Sequence, residues 1–223
     1  MRVVTVAIDG PSGSGKSSCA RLAAQALGFV YIDTGALYRA IGLAVRKAGG
    51  STKDEAQVAA RLPELQLHIK YIEDAQHVFL GEEDVSEEIR TPESALAASD
   101  VARVPAVRAH LLELQRSLAR AQDSIMDGRD ISTVVLPDAA VKIFLTASPE
   151  ERARRRWLEL QAKGIDEPRE KVLEEVAARD EQDINRAISP LRPAEDSILL
   201  DTTGMAQDAV VRAIIELVKE NQP

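Results

Sequence analysis

Short runs of apolar, largely β-branched residues recur along the chain and are separated by segments with helical periodicity. The first run, residues 3–8, shows no alternation of polar and apolar positions, which predicts a strand buried on both faces. Similar runs predict further buried strands at residues 30–32, 124–126, 141–145 and 198–200. Because helices are predicted between these strands, the pattern indicates an α/β fold with a mostly parallel sheet covered by helices on both faces.

Glycine residues end two of the predicted helices. Gly28 follows the helix predicted at residues 17–27, and Gly49 follows the one at residues 36–48. Glycine is favoured at these ends because it readily adopts a left-handed backbone conformation. Further helices are predicted at residues 92–121, in the charged region before residue 198 and at residues 205–219.

Residues 65–80 depart from this alternation of strands and helices. Residues 67–72 and 77–80 are rich in strand-forming residues and flank a polar segment at residues 73–76, which predicts a β-hairpin. We therefore expect a small antiparallel insertion in an otherwise parallel fold.

The composition is that of an ordinary globular protein. The 223 residues carry a net charge of −8 and are 45% hydrophobic and 29% charged. A chain of this length can bury about seven tenths of its surface, so its fold needs neither disulfide bonds nor a structural metal. The negative charge disfavours binding to nucleic acid polymers or membrane surfaces. Cys19 is the only cysteine, and the first apolar run is too short to cross a membrane, so we expect a cytoplasmic protein.

The sequence GPSGSGKS, which begins at Gly10, follows the first predicted strand and opens a helix. It fits the phosphate-loop pattern G-x-x-x-x-G-K-[ST] at every fixed position. Its glycines allow successive backbone N–H groups to point at phosphate oxygens, and the N-terminus of the helix adds a favourable field. We expect Lys16 to reach the β- and γ-phosphates and Ser17 to bind Mg²⁺. The residues assigned to this nucleoside triphosphate site are Gly10, Pro11, Ser12, Gly13, Ser14, Gly15, Lys16, Ser17 and Ser18.

A phosphate loop occurs in several classes of protein. A GTPase would also carry a D-x-x-G element and a later guanine-binding motif of the N/T-K-x-D type. Residues 201–204 fit the first pattern, but no guanine-binding motif follows them, and we interpret them as a strand end that turns into the last helix. The hhhhDE strand typical of motor ATPases is also missing from the sequence. A kinase for a small acceptor is favoured. A kinase for another acceptor, such as another monophosphate or shikimate, and a nucleotide-binding module without turnover are the alternatives.

A kinase for a phosphorylated acceptor needs cations that hold two polyanions together and an element that excludes water. The segments DTGALYR, from Asp33, and DGRD, from Asp127, follow two predicted strands, and ligands bind at the carboxyl ends of parallel strands. Arg152 and Arg156 are one helical turn apart, so they share a face that can clamp phosphates. Asp127 is also a candidate Mg²⁺ ligand.

Several strings, in order along nearly the whole chain, resemble bacterial cytidylate kinases: IDGPSG, DTGALYR, EIRT, DGRD, and RD at Arg179 followed by NRA at Asn185. The resemblance implies the P-loop nucleoside monophosphate kinase fold, with a five-stranded parallel sheet in one kinase domain spanning residues 1–223. It implies a monophosphate-binding region at residues 34–62 and 92–121, an antiparallel insertion at residues 63–91 and a helical lid at residues 150–168. The implied reaction is phosphorylation of CMP or dCMP by ATP with Mg²⁺. We expect the protein to be a monomer that binds neither a nucleic acid polymer nor a membrane.

The resemblance also assigns roles by position. Arg39, Arg129 and Arg186 match the arginines that hold the acceptor phosphate, and Arg179 and Asp183 match the residues that contact the sugar. The residues that match the base-binding positions are Ser99, Arg108 and Asp130. Thr34 stands where serine is expected and keeps the hydroxyl group. The implied catalytic residues are Lys16, Arg129, Arg156 and Arg186, and which other arginines of residues 152–156 belong to the lid clamp stays open.

The base assignment agrees with the chemistry of cytosine. A carboxylate such as Asp130 can accept a hydrogen bond from the cytosine amino group, while arginine and serine donate to its acceptors. Uracil would turn a carbonyl oxygen towards that carboxylate and leave buried groups unpaired. The sequence therefore predicts a preference for cytosine over uracil.

Overall fold

The protein is described by a computed structural model that covers residues 3–221. Strands and helices alternate over most of this range. In chain order they are β1 (Thr5–Asp9), α1 (Lys16–Leu27), β2 (Val30–Asp33), α2 (Thr34–Lys47), α3 (Glu55–Arg61), β3 (Leu67–Ile72), β4 (Ala75–Leu80), β5 (Glu83–Asp84), α4 (Pro92–Val101), α5 (Pro105–Ala121), β6 (Ser124–Gly128), β7 (Val141–Thr146), α6 (Pro149–Ala162), α7 (Arg169–Asn185), β8 (Ile198–Asp201) and α8 (Gln207–Asn221). None of the helices in residues 3–221 is long and apolar enough to span a membrane.

A five-stranded parallel sheet carries the phosphate loop. Its strand order is β2-β6-β1-β7-β8, so β1 lies at the centre. Both neighbours of β1 run parallel to it, and Asp9 at the end of β1 is paired with Gly128 at the end of β6. The loop that follows β1 and the segment that follows β6 therefore start side by side at one edge of the sheet. The predicted α/β fold with a five-stranded parallel sheet is confirmed.

The described chain divides into two compact units. One is formed by the segments before Ile32 and after Ala121, and the other by Ile32–Ala121. In the first unit, strands β1, β6 and β7 pack against α1 and α8. The buried residues of this core include Val6, Ile8, Ala20, Ala23, Ile125, Ile143, Leu145, Val210 and Ile214.

The second unit packs α2 against its other helices and against a small sheet. Leu37 and Ile41 of α2 belong to one buried cluster with Leu111 of α5, and Ala40 belongs to another with Val78 of β4. The small sheet is antiparallel, in the order β3-β4-β5. An antiparallel insertion is thus present, and its third strand, β5, is too short to give a pattern in the sequence.

The turn of the hairpin is shorter than predicted. Ile72 pairs with Ala75, so the connection contains only Glu73 and Asp74, and Gln76 belongs to β4. Both turn residues have positive φ angles, 50° and 61°. A type I′ hairpin turn requires positive φ at both central residues, and the pairs that favour it are Asn-Gly, Asp-Gly and Gly-Gly. Because Glu73 and Asp74 form none of these pairs, the tight turn could not be predicted from the sequence.

Two features next to the DTGALYR and DGRD segments also differ from the sequence prediction. Helix α2 begins at Thr34 rather than at residue 36, because the Asp33 carboxylate caps it by accepting a hydrogen bond from the Ala36 N–H at 3.0 Å. A π-helical turn, Ile131–Val135, follows the DGRD segment and was not predicted. Both features lie directly beside segments that the sequence assigns to acceptor binding.

Gly42 lets α2 and α4 approach closely within the second unit. A Cβ atom added to Gly42 would lie 2.8 Å from Ala97 Cβ. We predict that Gly42→Ala lowers the free energy of unfolding by about 1 kcal/mol or more, because overpacking costs about 1–3 kcal/mol and outweighs the gain in helix propensity. Urea denaturation of the wild type and the variant measures this difference.

The matched control is Ala97→Gly, which removes the opposing methyl group. Alone, Ala97→Gly should lower the free energy of unfolding by about 1 kcal/mol, because glycine has a low helix propensity. In the Gly42→Ala background it should cost much less or stabilise the protein, because it relieves the overlap. Additive effects of the two substitutions, or a Gly42→Ala variant more stable than the wild type, would contradict the prediction.

Candidate functional site

The loop between β1 and α1 leaves no room for side chains at two of its glycines. Gly10 has a φ angle of +155°, and a Cβ atom there would lie 2.0 Å from the Leu145 carbonyl oxygen. A Cβ atom on Gly13 would lie 3.0 Å from the Arg152 carbonyl oxygen. The loop therefore takes its shape from close backbone packing, and residues 10–18 span it and the first turn of α1.

One hydroxyl group in the loop is buried without an internal partner. The Ser14 side chain is 1% exposed, and its Oγ has no hydrogen-bond partner among residues 3–221. A buried hydroxyl normally has a partner. A hydroxyl group without an internal partner is expected where the loop binds a phosphate group, because a phosphate oxygen can accept its hydrogen bond.

Lys16 begins α1 and is buried. Its Nζ donates a hydrogen bond to the Pro11 carbonyl oxygen at 3.2 Å. Burial, together with the charge of Arg129, lowers the pKa of Lys16 to about 7. The Lys16 ammonium group is thus held over the loop, where burial removes the water that would stabilise its charge. An anionic ligand would raise its pKa back towards the ordinary value for lysine.

Ser17 and Asp127 lie together where the sequence predicts Mg²⁺. The Ser17 hydroxyl donates to Asp127 Oδ2 at 2.7 Å, and the Tyr31 hydroxyl donates to Oδ1 at 2.7 Å. Hydroxyl and carboxylate oxygens suit Mg²⁺, which commonly takes its remaining ligands from phosphates and water. This pair of side chains fits such an ion.

Asp9 fixes the segment that follows β6, a role that sequence reasoning missed. Its Oδ1 accepts a hydrogen bond from the Ile131 N–H at 2.8 Å. Its Oδ2 accepts from the Ser132 N–H at 2.7 Å and from the Ser132 hydroxyl at 2.5 Å. Burial raises the pKa of Asp9, while these hydrogen bonds favour the ionised form. The only signal for this role in the sequence was the position of the aspartate directly before a phosphate-loop glycine.

The predicted acceptor-binding residues of the first unit come together around Asp183. Arg129 Nε lies 2.8 Å from Asp183 Oδ2, and the Arg186 guanidinium lies 3.9 Å from Asp183 and 4.0 Å from Asp130. Burial acts to raise the pKa of Asp183, but the charges of Arg129, Arg179 and Arg186 outweigh burial, and the pKa is lowered. Arg129 and Arg179 also act on Lys16. The site therefore gathers cations and keeps its central carboxylate ionised.

The predicted residues of the second unit lie on α2, α4 and α5. Thr34 is buried in the first turn of α2, and Ser99 lies on α4. Arg108 on α5 donates to the Ala102 carbonyl oxygen at 3.1 Å and lies over the Tyr38 ring, 5.6 Å from its centre. The contact with Tyr38 is a cation–π interaction that orients the guanidinium group.

Asp33 is the centre of a second cluster within this unit. Its carboxylate lies 3.7 Å from Arg39 and 3.5 Å from Arg90. The Gln76 side chain accepts from the Asp33 N–H at 2.9 Å and donates to the Asp33 carbonyl oxygen at 3.1 Å. The antiparallel insertion thus holds the DTG segment through Gln76. Sequence reasoning missed Gln76 because it placed this residue in the turn.

The arginines of α6 differ in their surroundings. Arg156 is partly exposed and pairs with Glu159 at 3.2 Å, and Arg154 pairs with Glu151 at 2.8 Å. Arg152 and Arg155 instead donate hydrogen bonds to the carbonyl oxygens of Ser12 and Ser14. The Arg152 guanidinium is thus engaged inside the protein and does not lie on an exposed face with Arg156, whose place in a phosphate clamp stays a prediction.

A central parallel strand, a glycine-shaped loop and a buried lysine at a helix N-terminus define a phosphate-loop nucleotide-binding protein. The sequence model of the family described as "Cytidylate kinase" matches residues 6–220. The chain belongs to the cytidylate kinase family, and it is accordingly a nucleoside monophosphate kinase.

Individual relatives agree with this membership. A cytidylate kinase of Caldicellulosiruptor bescii is 46% identical over 97% of this chain and 96% of its own length. A cytidylate kinase of Caldanaerobacter subterraneus subsp. tengcongensis is 49% identical over 98% of this chain and 96% of its own. The crystal structure of an uncharacterized protein from Eubacterium ventriosum is similar in fold alone, with a TM-score of 0.54, 12% identity and coverage of 97% of this chain and 98% of that one.

The lowered pKa of Lys16 predicts that nucleotide binding takes up a proton. At pH 8 most Lys16 side chains are neutral, since the pKa is about 7. A bound β-phosphate favours the charged form, so binding of ADP with Mg²⁺ should take up about one proton. Calorimetric titration at pH 8 in buffers with different ionisation enthalpies measures this number.

The Lys16→Arg variant is the control, because a guanidinium stays protonated at this pH. It should bind ADP with little proton uptake, and at pH 6 the uptake by the wild type through Lys16 should be small. Equal proton uptake by the variant and the wild type at pH 8 would show that Lys16 is not the group that titrates.

Proposed function

We propose that the protein transfers the γ-phosphoryl group of ATP to the phosphate of CMP or dCMP, which yields ADP and CDP or dCDP. The observation that carries this proposal is the gathering of Lys16, Arg129 and Arg186 around Asp183 and Asp130, beside the phosphate loop. Membership of the cytidylate kinase family supports the choice of acceptor. We also propose that the protein acts as a monomer in the cytoplasm, with no nucleic acid polymer or membrane as partner.

The phosphate loop would bind the donor. Its backbone N–H groups and the positive end of α1 attract the phosphates, and the Lys16 ammonium adds a full charge. The buried Ser14 hydroxyl supports this assignment, because a phosphate oxygen would supply its missing partner. Ser17 and Asp127 would hold Mg²⁺, which shields the charge of the phosphates when it is bound.

The acceptor phosphate would be held by arginines. Arg129, Arg186 and Arg39 are the residues assigned to it, and Asp183 holds Arg129 in place through their 2.8 Å contact. An acceptor phosphate is already ionised at neutral pH, so the reaction needs no strong general base. The protein's work is therefore positioning and charge neutralisation, with Arg156 of the proposed lid at residues 150–168 completing the cationic set.

The remaining residues are assigned to the base and the sugar of the acceptor. Asp130 would accept a hydrogen bond from the cytosine amino group, and Ser99 and Arg108 would donate to the ring acceptors. Arg179 and Asp183 would contact the sugar, and the Thr34 hydroxyl would contact the nucleotide. Within this proposal, residues 34–62 and 92–121 form the monophosphate-binding region and residues 63–91 the insertion.

An assay of ADP release with ATP, Mg²⁺ and a panel of acceptors tests the function. CMP and dCMP should give the highest kcat/KM, well above UMP, AMP, GMP and shikimate. Preferred phosphorylation of another monophosphate or of shikimate would replace the acceptor assignment, and binding of ATP without any turnover would indicate a nucleotide-binding module.

The Asp130→Asn variant tests how cytosine is distinguished from uracil. The substitution replaces an ionised acceptor by an amide, and a hydrogen bond to a charged group contributes about 1.5–3 kcal/mol. The ratio of kcat/KM for CMP to that for UMP should therefore fall roughly 10- to 100-fold. The Kd for ATP, measured without acceptor, is the control and should stay unchanged.

An unchanged CMP to UMP ratio in this variant would remove Asp130 from base recognition.

Lys16→Ala provides the comparison at the donor side. Removing the ammonium should lower kcat roughly 100-fold or more for every acceptor, without altering the preference among them.

A further inference from the structure

The geometry points to Arg152 and Arg155 as positioning residues that hold the phosphate loop in its anion-binding shape, with Asp180 fixing Arg152 for this task. The inference rests on the proposed function, because it concerns how the donor site of that reaction is formed. It assigns both arginines to the loop backbone rather than to a nucleotide phosphate.

A phosphate loop has a structural requirement on its outer side. When successive N–H groups point inward at an anion, the carbonyl groups of the same peptides point outward. A backbone carbonyl that is shielded from solvent needs a hydrogen-bond donor. The donors that reach the carbonyl oxygens of Ser12 and Ser14 are Arg152 and Arg155.

Arg152 is buried and almost fully occupied. Its Nη1 donates to the Ser12 carbonyl oxygen at 3.1 Å, and its Nε donates to the Ala147 carbonyl oxygen at 2.9 Å. Asp180 on α7 accepts two further hydrogen bonds, at 2.9 Å and 2.5 Å. These contacts use four of the five N–H donors of the guanidinium. Little hydrogen-bonding capacity remains for a phosphate.

Arg155 makes an equivalent link one turn further along α6. Its Nη1 donates to the Ser14 carbonyl oxygen at 3.0 Å, and its Nη2 donates to the Thr202 carbonyl oxygen at 2.7 Å. Glu151 on the preceding turn accepts from its Nε at 2.8 Å. Thr202 is itself held by the end of β7, since its N–H donates to the Thr146 carbonyl oxygen at 2.8 Å.

The loop and α6 also touch through their backbones. A Cβ atom on Gly13 would lie 3.0 Å from the Arg152 carbonyl oxygen, so any larger residue there would push the loop and α6 apart. Helix α6 in turn packs on α7 through a buried cluster that contains Ala153, Leu160, Val172 and Val176. A shift of the α6–α7 pair would therefore change the positions of two loop carbonyls and of the N–H groups that belong to the same peptides.

Asp180→Asn distinguishes this role from direct phosphate binding. If Arg152 bound a phosphate, neutralising Asp180 would release the arginine, and nucleotide affinity would stay the same or increase. If Arg152 instead holds the loop, loss of the bidentate pair lets Arg152 move, and the affinity falls. The same fall is expected for Arg152→Lys, because lysine cannot reproduce the planar, two-point pairing.

The experiment measures Kd for ADP and for ATP, each with Mg²⁺, by calorimetry, and kcat and KM for both substrates. Arg152→Lys and Asp180→Asn should weaken ADP and ATP by the same factor, about 10-fold or more, because both nucleotides place a β-phosphate in the loop. KM for the acceptor should change little. Asp180→Glu should recover part of the loss, and Arg212→Gln, which removes an exposed charge on α8, should match the wild type.

Two results would overturn the inference: wild-type affinity in Asp180→Asn, or a loss in Arg152→Lys confined to ATP, which would indicate contact with the γ-phosphate. Each variant is titrated below its own melting temperature. If Asp180→Asn does not fold, Arg155→Lys gives the same comparison through Ser14, and equal ADP affinity there would equally reject the idea. A wild-type protein that binds ADP but phosphorylates no monophosphate would instead reject the proposed function and leave these affinities interpretable.

Discussion

The mutual repulsion of like charges is the constraint on which the site depends. Lys16, Arg129, Arg179 and Arg186 act on a common region at the carboxyl edge of the parallel sheet, and without anions they would drive each other apart. Buried Asp183 keeps them together, since its carboxylate stays ionised despite burial. Burial and, after it, the charge of Arg129 still lower the pKa of Lys16, so the site retains a demand for negative charge. Phosphate ligands, which bring several negative charges, would meet it.

The surrounding fold serves to keep this arrangement rigid. Asp9 ties the end of β1 to the turn at Ile131–Val135, so the phosphate loop and the DGRD segment are fixed to each other by three hydrogen bonds. Within the second unit, Gln76 holds the backbone of Asp33 in a similar way. Both cases use a side chain from one segment to fix the backbone of another. Such contacts preorganise a site so that binding costs less conformational entropy.

The sequence predicted the parallel sheet and the phosphate loop well, because both depend on local patterns. A continuous run of β-branched residues such as residues 3–8 forms a buried strand in most tertiary contexts. The glycines of the loop are required by close packing, such as that of Gly10 on Leu145. The two-residue turn at Glu73 and Asp74 and the short strand β5 could not be predicted, because long-range pairing determines them.

The partners of charged side chains could not be predicted from the sequence either. Arg152 and Arg156 look equivalent on a helical face, yet one is buried against Asp180 and the other is partly exposed beside Glu159. Their difference depends on α7 and on the loop, which are distant in sequence. By contrast, the family resemblance assigned Arg129 and Asp183 to one acceptor site, and the structure brings these two side chains into contact.

A crystal structure with ADP, Mg²⁺ and CMP bound together tests the central claim, that the gathered cations serve two phosphorylated ligands at once. The β-phosphate of ADP should lie within residues 10–17, and the phosphate of CMP should contact Arg129 and Arg186. A CMP phosphate far from both arginines, or an ADP whose phosphates lie outside the loop, would contradict the claim.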